Sequence, residues 1–224
     1  MISIVMPVLN EEAALPAALA RTFDWKARFE RIVVDGGSSD GTVELVERVC
    51  QQDNRVTLLT AATGRARQMN AGALLATGDW LLFLHADTLL PDLALTRIAL
   101  LPPEVQAGGF THRFSGQASG LRLVSWLHNF RWRCTRVVYG DQALFVRKSL
   151  FESLGGFPDT PRLEDLLFGE QLAAATKPVL LKDAVITDSR KFEQAGVWTS
   201  LWRVLLILLR HRLKRPIPAL QFFD

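Results

Sequence analysis

The feature that most constrains this chain is an alternation between residues 2 and 84. Short apolar runs rich in β-branched side chains are each followed by a polar or glycine-rich turn and then by helical periodicity. Residues 2–9 read as a buried parallel strand ended by Pro7 and Asn10, and 31–34, 56–59 and 80–84 as three more. Between them, 11–21, the segment after Asp40, and 65–76 read as helices. Asp40 is placed to cap the second, which turns Val43, Val46 and Val49 inward, and Gly78 closes the third. Parallel strands joined by right-handed helical crossovers form a sheet covered on both faces, so the class is α/β.

Beyond Pro91 the alternation loosens. A helix over 93–100, a strand over 106–114, a basic, Trp-rich helix over 118–136, a strand over 143–146 and helices over 162–175 and 197–213 are expected, the last stopping before Pro216 and Pro218. No linker interrupts the chain, and 224 residues suit one core. The expected division is therefore a main domain over 1–195 in a mostly parallel, mixed sheet. An amphipathic helix and tail over 196–224 would belong to that domain or to an interface.

Composition excludes more than it assigns. A net charge of +3 with no recognition motif gives no case for nucleic acid as a partner. Cys50 and Cys134 form neither a CxxC pair nor a disulfide framework and read as small buried hydrophobes. The first residues lack a basic secretory start, so a cytoplasmic protein is expected. The last helix is too short and too charged to span a bilayer, which takes about 20 apolar residues. Trp198, Leu201, Trp202, Leu205, Leu208 and Leu209 share one of its sides, with Arg203, Arg210 and Lys214 largely off it. Such a helix fits core packing, a homodimer contact, or peripheral attachment to the inner face of the cell membrane.

Polar residues collect where the strands end. Strand one runs into Asn10-Glu11-Glu12, strand two into Asp35-Gly36-Gly37-Ser38-Ser39-Asp40-Gly41-Thr42, and strand four into His85-Ala86-Asp87. Open α/β sheets bind ligands at that edge. Asp87 at a strand end suits a hard divalent cation, because phosphate oxygens and water complete the shell around one or two carboxylates. Gly64-Arg65-Ala66-Arg67-Gln68 opens a helix toward an anion. Glu164-Asp165 starts another helix, where acids usually serve the helix dipole; the alternative is a general base for a hydroxyl nucleophile.

In order along the chain, several motifs resemble the family 2 glycosyltransferases, which have the GT-A fold. They are Ile4-Val5-Met6-Pro7-Val8-Leu9-Asn10-Glu11, Val33-Val34-Asp35-Gly36-Gly37-Ser38-Ser39-Asp40-Gly41-Thr42, Asn70-Ala71-Gly72, Ala76-Thr77-Gly78-Asp79, His85-Ala86-Asp87 and Glu164-Asp165. A narrower bacterial subgroup associated with arsenosugar biosynthesis is similar through residues 64–70, Tyr139-Gly140-Asp141-Gln142-Ala143 and Ser189-Arg190-Lys191-Phe192-Glu193. The resemblance implies a nucleotide-diphosphate-sugar donor, Mn or Mg, and inversion at the anomeric carbon during transfer to an acceptor hydroxyl. It implies that Pro7, Asn10, Glu11, Asp35, Ser38, His85 and Ala86 line the nucleotide-sugar pocket, and that Arg65 and Gln68 contact donor or phosphate. Asp87 would hold the metal, Asp165 deprotonate the acceptor, Glu164 orient Asp165, and Gly140, Asp141 and Gln142 flank the sugar or acceptor.

Two positions depart from the family pattern. Many relatives carry a second Asp where Gly36 stands, which leaves the base preference open. The metal motif often begins with Asp where this chain has His85, which leans toward Mn. The acceptor is open too, with the Arg122–Arg136 cluster compatible with an anionic or lipid-linked molecule. Two other classes compete: a sugar-nucleotide pyrophosphorylase, against which Asn10-Glu11-Glu12 replaces the usual glycine-rich basic loop, and a non-catalytic, membrane-associated protein of the same fold, against which both Asp87 and Asp165 are present.

Overall fold

The computed structural model describes residues 1–22 and 27–215, so Pro216 and Pro218, expected to stop the last helix, lie outside the described residues. In chain order the elements are β1 (Ile2–Val8), α1 (Leu15–Arg21), β2 (Phe29–Asp35), α2 (Thr42–Gln52), β3 (Val56–Thr60), α3 (Arg65–Leu75), β4 (Trp80–Phe83), β5 (Thr88–Leu89) and α4 (Ala94–Ala99). They continue as β6 (Ala107–Phe114), α5 (Leu121–Thr135), a 3-10 turn (Gly140–Gln142), β7 (Phe145–Arg147), α6 (Lys148–Ser153), α7 (Glu164–Ala175), β8 (Val179–Thr187), α8 (Arg190–Gln194) and α9 (Val197–Arg212).

The strands form one sheet in the order β3-β2-β1-β4-β7-β6-β8-β5. β1 to β4 are mutually parallel where they pair, and β7 runs antiparallel to both β4 and β6, so the sheet is mixed as expected. Successive side chains of a strand point to opposite faces, and both faces of β1 are buried. Ile4, Met6 and Val8 join Leu82, Phe110 and Phe145 in one apolar layer, while Val5 joins Val34, Phe83 and Phe168 in the other. Helix α3 lies so close to the sheet that a Cβ on Gly72 would sit 2.5 Å from Val5 Cγ1.

Several expectations need correction. The first helix begins at Leu15, not at Glu11, because Asn10 takes a left-handed φ of 56° and the following backbone N–H groups bond to the β2–α2 loop. Strand β8 and the short β5 it pairs with were not expected. Lys182-Asp183 breaks the apolar pattern of β8, and the sheet absorbs the break by a register shift at Phe110/Thr111, where the Thr111 hydroxyl donates to both carbonyls at 3.0 Å. Of the two cysteines, Cys50 is only half-buried and Cys134 is exposed on α5. Among the described residues no helix is long and apolar enough to cross a membrane.

Candidate active site

The strand order fixes where a pocket can form. From β1 the chain moves to β2 and β3 on one side, then returns to β4 on the other. Connections diverge there, and the crevice beyond the carboxyl ends of β1 and β4 is the binding position of open α/β sheets. The first two loops are knitted together at its mouth. Asn10 N–H donates to Ser38 Oγ at 2.9 Å, Ser39 N–H donates to Asn10 Oδ1 at 2.8 Å, and Glu11 N–H donates to Thr42 Oγ1 at 2.9 Å. Asp35 is buried and accepts the N–H groups of Gly37 and Ser38 at 2.9 and 3.1 Å, so its carboxylate folds its own loop. Pro7, half-buried, pairs in register with Val34 directly below.

Gln68 is committed to the scaffold. It is buried, and its Nε2 donates at 2.8 Å to both Val8 O and Val34 O, closing the ends of β1 and β2. A Cβ on Gly36 would meet that amide at 2.9 Å, so the loop crosses directly over it. Both of its amide hydrogens are spent there, and the donor contact expected of Gln68 has no hydrogen left to use. Any side chain at position 36 would have to displace that amide.

Antiparallel pairing of β7 with β4 brings the third part of the site. Leu82 pairs with Phe145, so the entry to β7, the turn Gly140–Gln142, lies at the carboxyl end of β4 beside His85. Helix α7 is set against the same segment, since a Cβ on Gly169 would lie 2.5 Å from Val138 O. Gly140 N–H consequently donates to Asp165 Oδ2 at 3.1 Å, and a Cβ at Gly140 would sit 2.8 Å from His85 Nε2 and 3.4 Å from Asp165 Oδ2. Asp87 and Asp165 both favour the charged form of His85; burial and the nearby Arg65 outweigh them and hold the imidazole below its ordinary value. Asp165 and the strand end that carries His85 and Asp87 thus meet at Gly140.

The remaining expected residues divide. Arg65 Nη1 donates to Glu164 Oε1 at 3.2 Å, tying α3 to α7. Burial and the charge of Asp165 push the Glu164 carboxyl up, with Arg65 opposing. The contact Glu164 makes is therefore to Arg65, and its influence on Asp165 is through charge. Ala86 is buried in the apolar layer of Ile4, Met6 and Leu82, so it lies in the core instead of lining the crevice. Gln142 is fully buried and turned back on its own turn, accepting Tyr139 N–H at 3.1 Å, so it supports the expected acceptor region from beneath. Asp141 Oδ1 lies 3.2 Å from His128 Nε2. Burial opposes its ionisation, but His128, His112 and Arg131 around it hold its carboxyl well below the usual range.

Other residues at the site stood in quoted motifs or in the basic cluster without an individual role. Arg131 stacks 3.2 Å from the centroid of the Tyr139 ring, and burial lowers its pKa against the charges of Tyr139, Asp141 and Asp165. Lys191 Nζ stands 3.8 Å from Glu11 Oε1. Burial pushes the Glu11 carboxyl up, Lys191 opposes, and the charge of Asp87 adds to the rise. Lys191 follows β8, and Asp188 N–H donates to Asp87 O at 2.9 Å. Without β8 nothing in the sequence brings that segment to Asp87.

For a metal, the donor set is sparse. Among the described residues no group of three His, Cys, Asp or Glu side chains could hold an ion. One half-exposed carboxylate, Asp87, beside a low-pKa imidazole whose buried Nε2 has no partner, fits an ion completed by phosphate oxygens and fits no all-protein cage.

With this geometry in hand, known proteins can be compared. Residues 3–101 match the family model described as Glycosyl transferase family 2. A PGL/p-HBAD biosynthesis glycosyltransferase of Mycobacterium bovis is 34% identical over 173 residues, covering 70% of this chain and 63% of that protein. The chain thus spans less than two thirds of this curated relative. A mannosyltransferase of Pyrobaculum calidifontis, solved in complex with GDP-Man and Mn2+, superimposes with a TM-score of 0.69 at 22% identity, covering 99% of this chain and 66% of that one. TarS of S. aureus in complex with UDP-GlcNAc gives 0.64 at 19% identity, covering 84% and 58%. These neighbours establish the fold, which is GT-A.

Proposed function

We propose, for a chain that belongs to glycosyl transferase family 2 through residues 3–101, transfer of a sugar from a nucleotide-diphosphate donor to an acceptor hydroxyl with inversion at the anomeric carbon. The observation that carries this reading is that Gly140 joins the start of α7 to the end of β4: its N–H donates to Asp165 Oδ2 at 3.1 Å, and a Cβ there would stand 2.8 Å from Nε2 of His85, two residues before Asp87.

In this reading the nucleotide lies over the knitted loops of β1 and β2, along Pro7, Asn10, Glu11, Asp35 and Ser38. Its diphosphate reaches Asp87, with Arg65 and Lys191 as flanking cations. The acceptor approaches from the side of Gly140 and Asp165. Asp165 takes the proton of the acceptor hydroxyl as its oxygen bonds to the anomeric carbon. The bond from that carbon to the diphosphate oxygen breaks, and its electron pair leaves with the nucleoside diphosphate. Attack opposite the leaving group inverts the centre. A hydroxyl is a poor nucleophile until a carboxylate removes its proton, a contribution of about 10²- to 10⁴-fold.

Mn or Mg held by Asp87 would offset the charge that develops on the leaving diphosphate. The Mn2+ and GDP-Man in the Pyrobaculum neighbour support this assignment, as does UDP-GlcNAc in TarS for the donor class. Asp165→Asn is the deciding variant. It is expected to lower transfer by about 10²-fold or more while calorimetric donor binding stays at the wild-type level. Transfer retained by that variant would remove Asp165 from the chemistry, and bound donor that neither transfers nor hydrolyses in the wild type would favour a non-catalytic binding protein.

A further inference from the structure

We propose that α5 and α9 together form a docking surface for an anionic membrane. Half of the large apolar side chains that the described residues leave exposed lie on these two helices. On α9, Trp198, Trp202, Leu205 and Leu209 are 58%, 69%, 47% and 55% exposed. Their spacing of four, three and four keeps them on one stripe of a 3.6-residue helix. On α5, Trp126 and Phe130 are 57% and 44% exposed, and their rings stack at 5.2 Å with planes 13° apart. The stripes begin at a shared corner. Leu121, Val124 and Val197 bury one another there, and the Trp198 ring closes to 3.1 Å from where a Cβ on Gly120 would stand.

The charge around these stripes selects the occupant. Neither helix carries an Asp or Glu, and each carries three arginines, of which Arg122, Arg133 and Arg212 are exposed. A second copy docked on this face would set like charges against each other, and charged residues are depleted from protein interface cores. An anionic lipid surface accepts both halves of the pattern. Tryptophans settle at the headgroup level, and each basic residue near such a surface contributes about 1 kcal/mol. Both helices lie too short to span and have the form of interfacial ones. The inward side of α5 carries His128 to Asp141 and Arg131 to Tyr139, so the surface lies one helix from the crevice.

The test is flotation of the full chain with vesicles of phosphatidylcholine alone or mixed with phosphatidylglycerol. The chain is expected to float with the anionic vesicles only, less so at high salt, with tryptophan emission shifted to the blue. The pair Trp126→Ser/Phe130→Ser and the pair Trp198→Ser/Trp202→Ser are each expected to weaken binding about tenfold with circular dichroism unchanged, since these side chains are exposed. Arg122→Glu/Arg133→Glu, which keeps every apolar contact, is expected to abolish the preference for anionic lipid. Absence of binding to anionic vesicles, or variants that bind as wild type, would overturn the proposal. So would a dimer in light scattering that the tryptophan variants dissociate. No substrate enters the assay, so its outcome is separate from that of the sugar-transfer reading.

Discussion

Gly140 is the residue at which the two halves of the site touch, and its missing side chain has a function that can be measured. A methyl group there would meet buried Nε2 of the His85 ring at 2.8 Å and would press toward Asp165 Oδ2 at 3.4 Å. The change therefore forces the buried ring or the turn to shift, and with it the spacing to Asp165. Gly140→Ala is expected to cost about 1–3 kcal/mol of stability and to lower transfer about tenfold or more, since small misplacements are expensive in catalysis. A melting curve and a transfer assay on one preparation check both; full activity would show that the spacing of His85 and Asp165 is irrelevant. Asp87 was a candidate because a carboxylate at a strand end has few structural uses, whereas Asp165 stands at a helix start, where acids usually serve the dipole, and was singled out only by the family resemblance. Gln68, in contrast, has the same sequence signal whether it binds phosphate or strand-end carbonyls, and only its burial decides.

Among the elements, those built from local periodicity were read correctly and those defined by their partners were not. β1 to β4 are apolar on both faces and announce themselves. β8 contains Lys182-Asp183, and its pairing with β6 becomes visible only once the register shift is known. With it went Lys191, which that strand delivers to Glu11. The start of α1 failed for a related reason, because Glu11 and Glu12 have good helix propensity and lose to contacts with the next loop. A clip between elements gives a second prediction. Buried Arg31 of β2 bonds to Leu19 O of α1 at 3.0 Å and to Asp53 Oδ2, between α2 and β3, at 2.6 Å; Asp53 also accepts Arg55 Nε at 2.8 Å. Hydrogen bonding to Arg55 is the main cause that lowers Asp53 from 3.8 to about 2, burial opposing. A depressed carboxyl stabilises the fold above its unfolded pKa and ceases to as pH falls through the folded one. Discounted for solvent screening, the shift is worth about 1 kcal/mol. Asp53→Asn is expected to lower stability by that order at pH 7, and the difference from wild type should close between about pH 4 and pH 2 in urea titrations. A constant difference across that window would deny the pair its role.

For the whole molecule, the consequence of a site drawn from residues 10 to 191 is that ligand binding and global folding are one equilibrium. The pocket proposed for the donor draws together the β1 and β2 loops, the start of α3, the end of β4, the turn before β7, the start of α7 and the segment after β8. No fragment carries it, which is also why a reading of isolated motifs identified the family without the geometry. A ligand that binds only the assembled fold stabilises it by RT ln(1 + [L]/Kd), about 2.7 kcal/mol at a hundredfold excess over Kd. For a chain of this length that is a rise of about 5–10 °C in melting temperature. GDP-mannose and UDP-GlcNAc, each with and without Mn, are the probes that the structural neighbours suggest. The donor this chain uses is expected to give the larger rise, and only with the metal present. Asp87→Ala should melt as wild type without ligand, since among the described residues its half-exposed carboxylate bonds only the neighbouring Thr88 hydroxyl at 3.3 Å, and should lose the Mn-dependent part alone. A shift equal with and without Mn in the wild type would detach Asp87 from any metal. A shift that survives in Asp87→Ala but vanishes with Arg65→Ala would move the diphosphate to the start of α3.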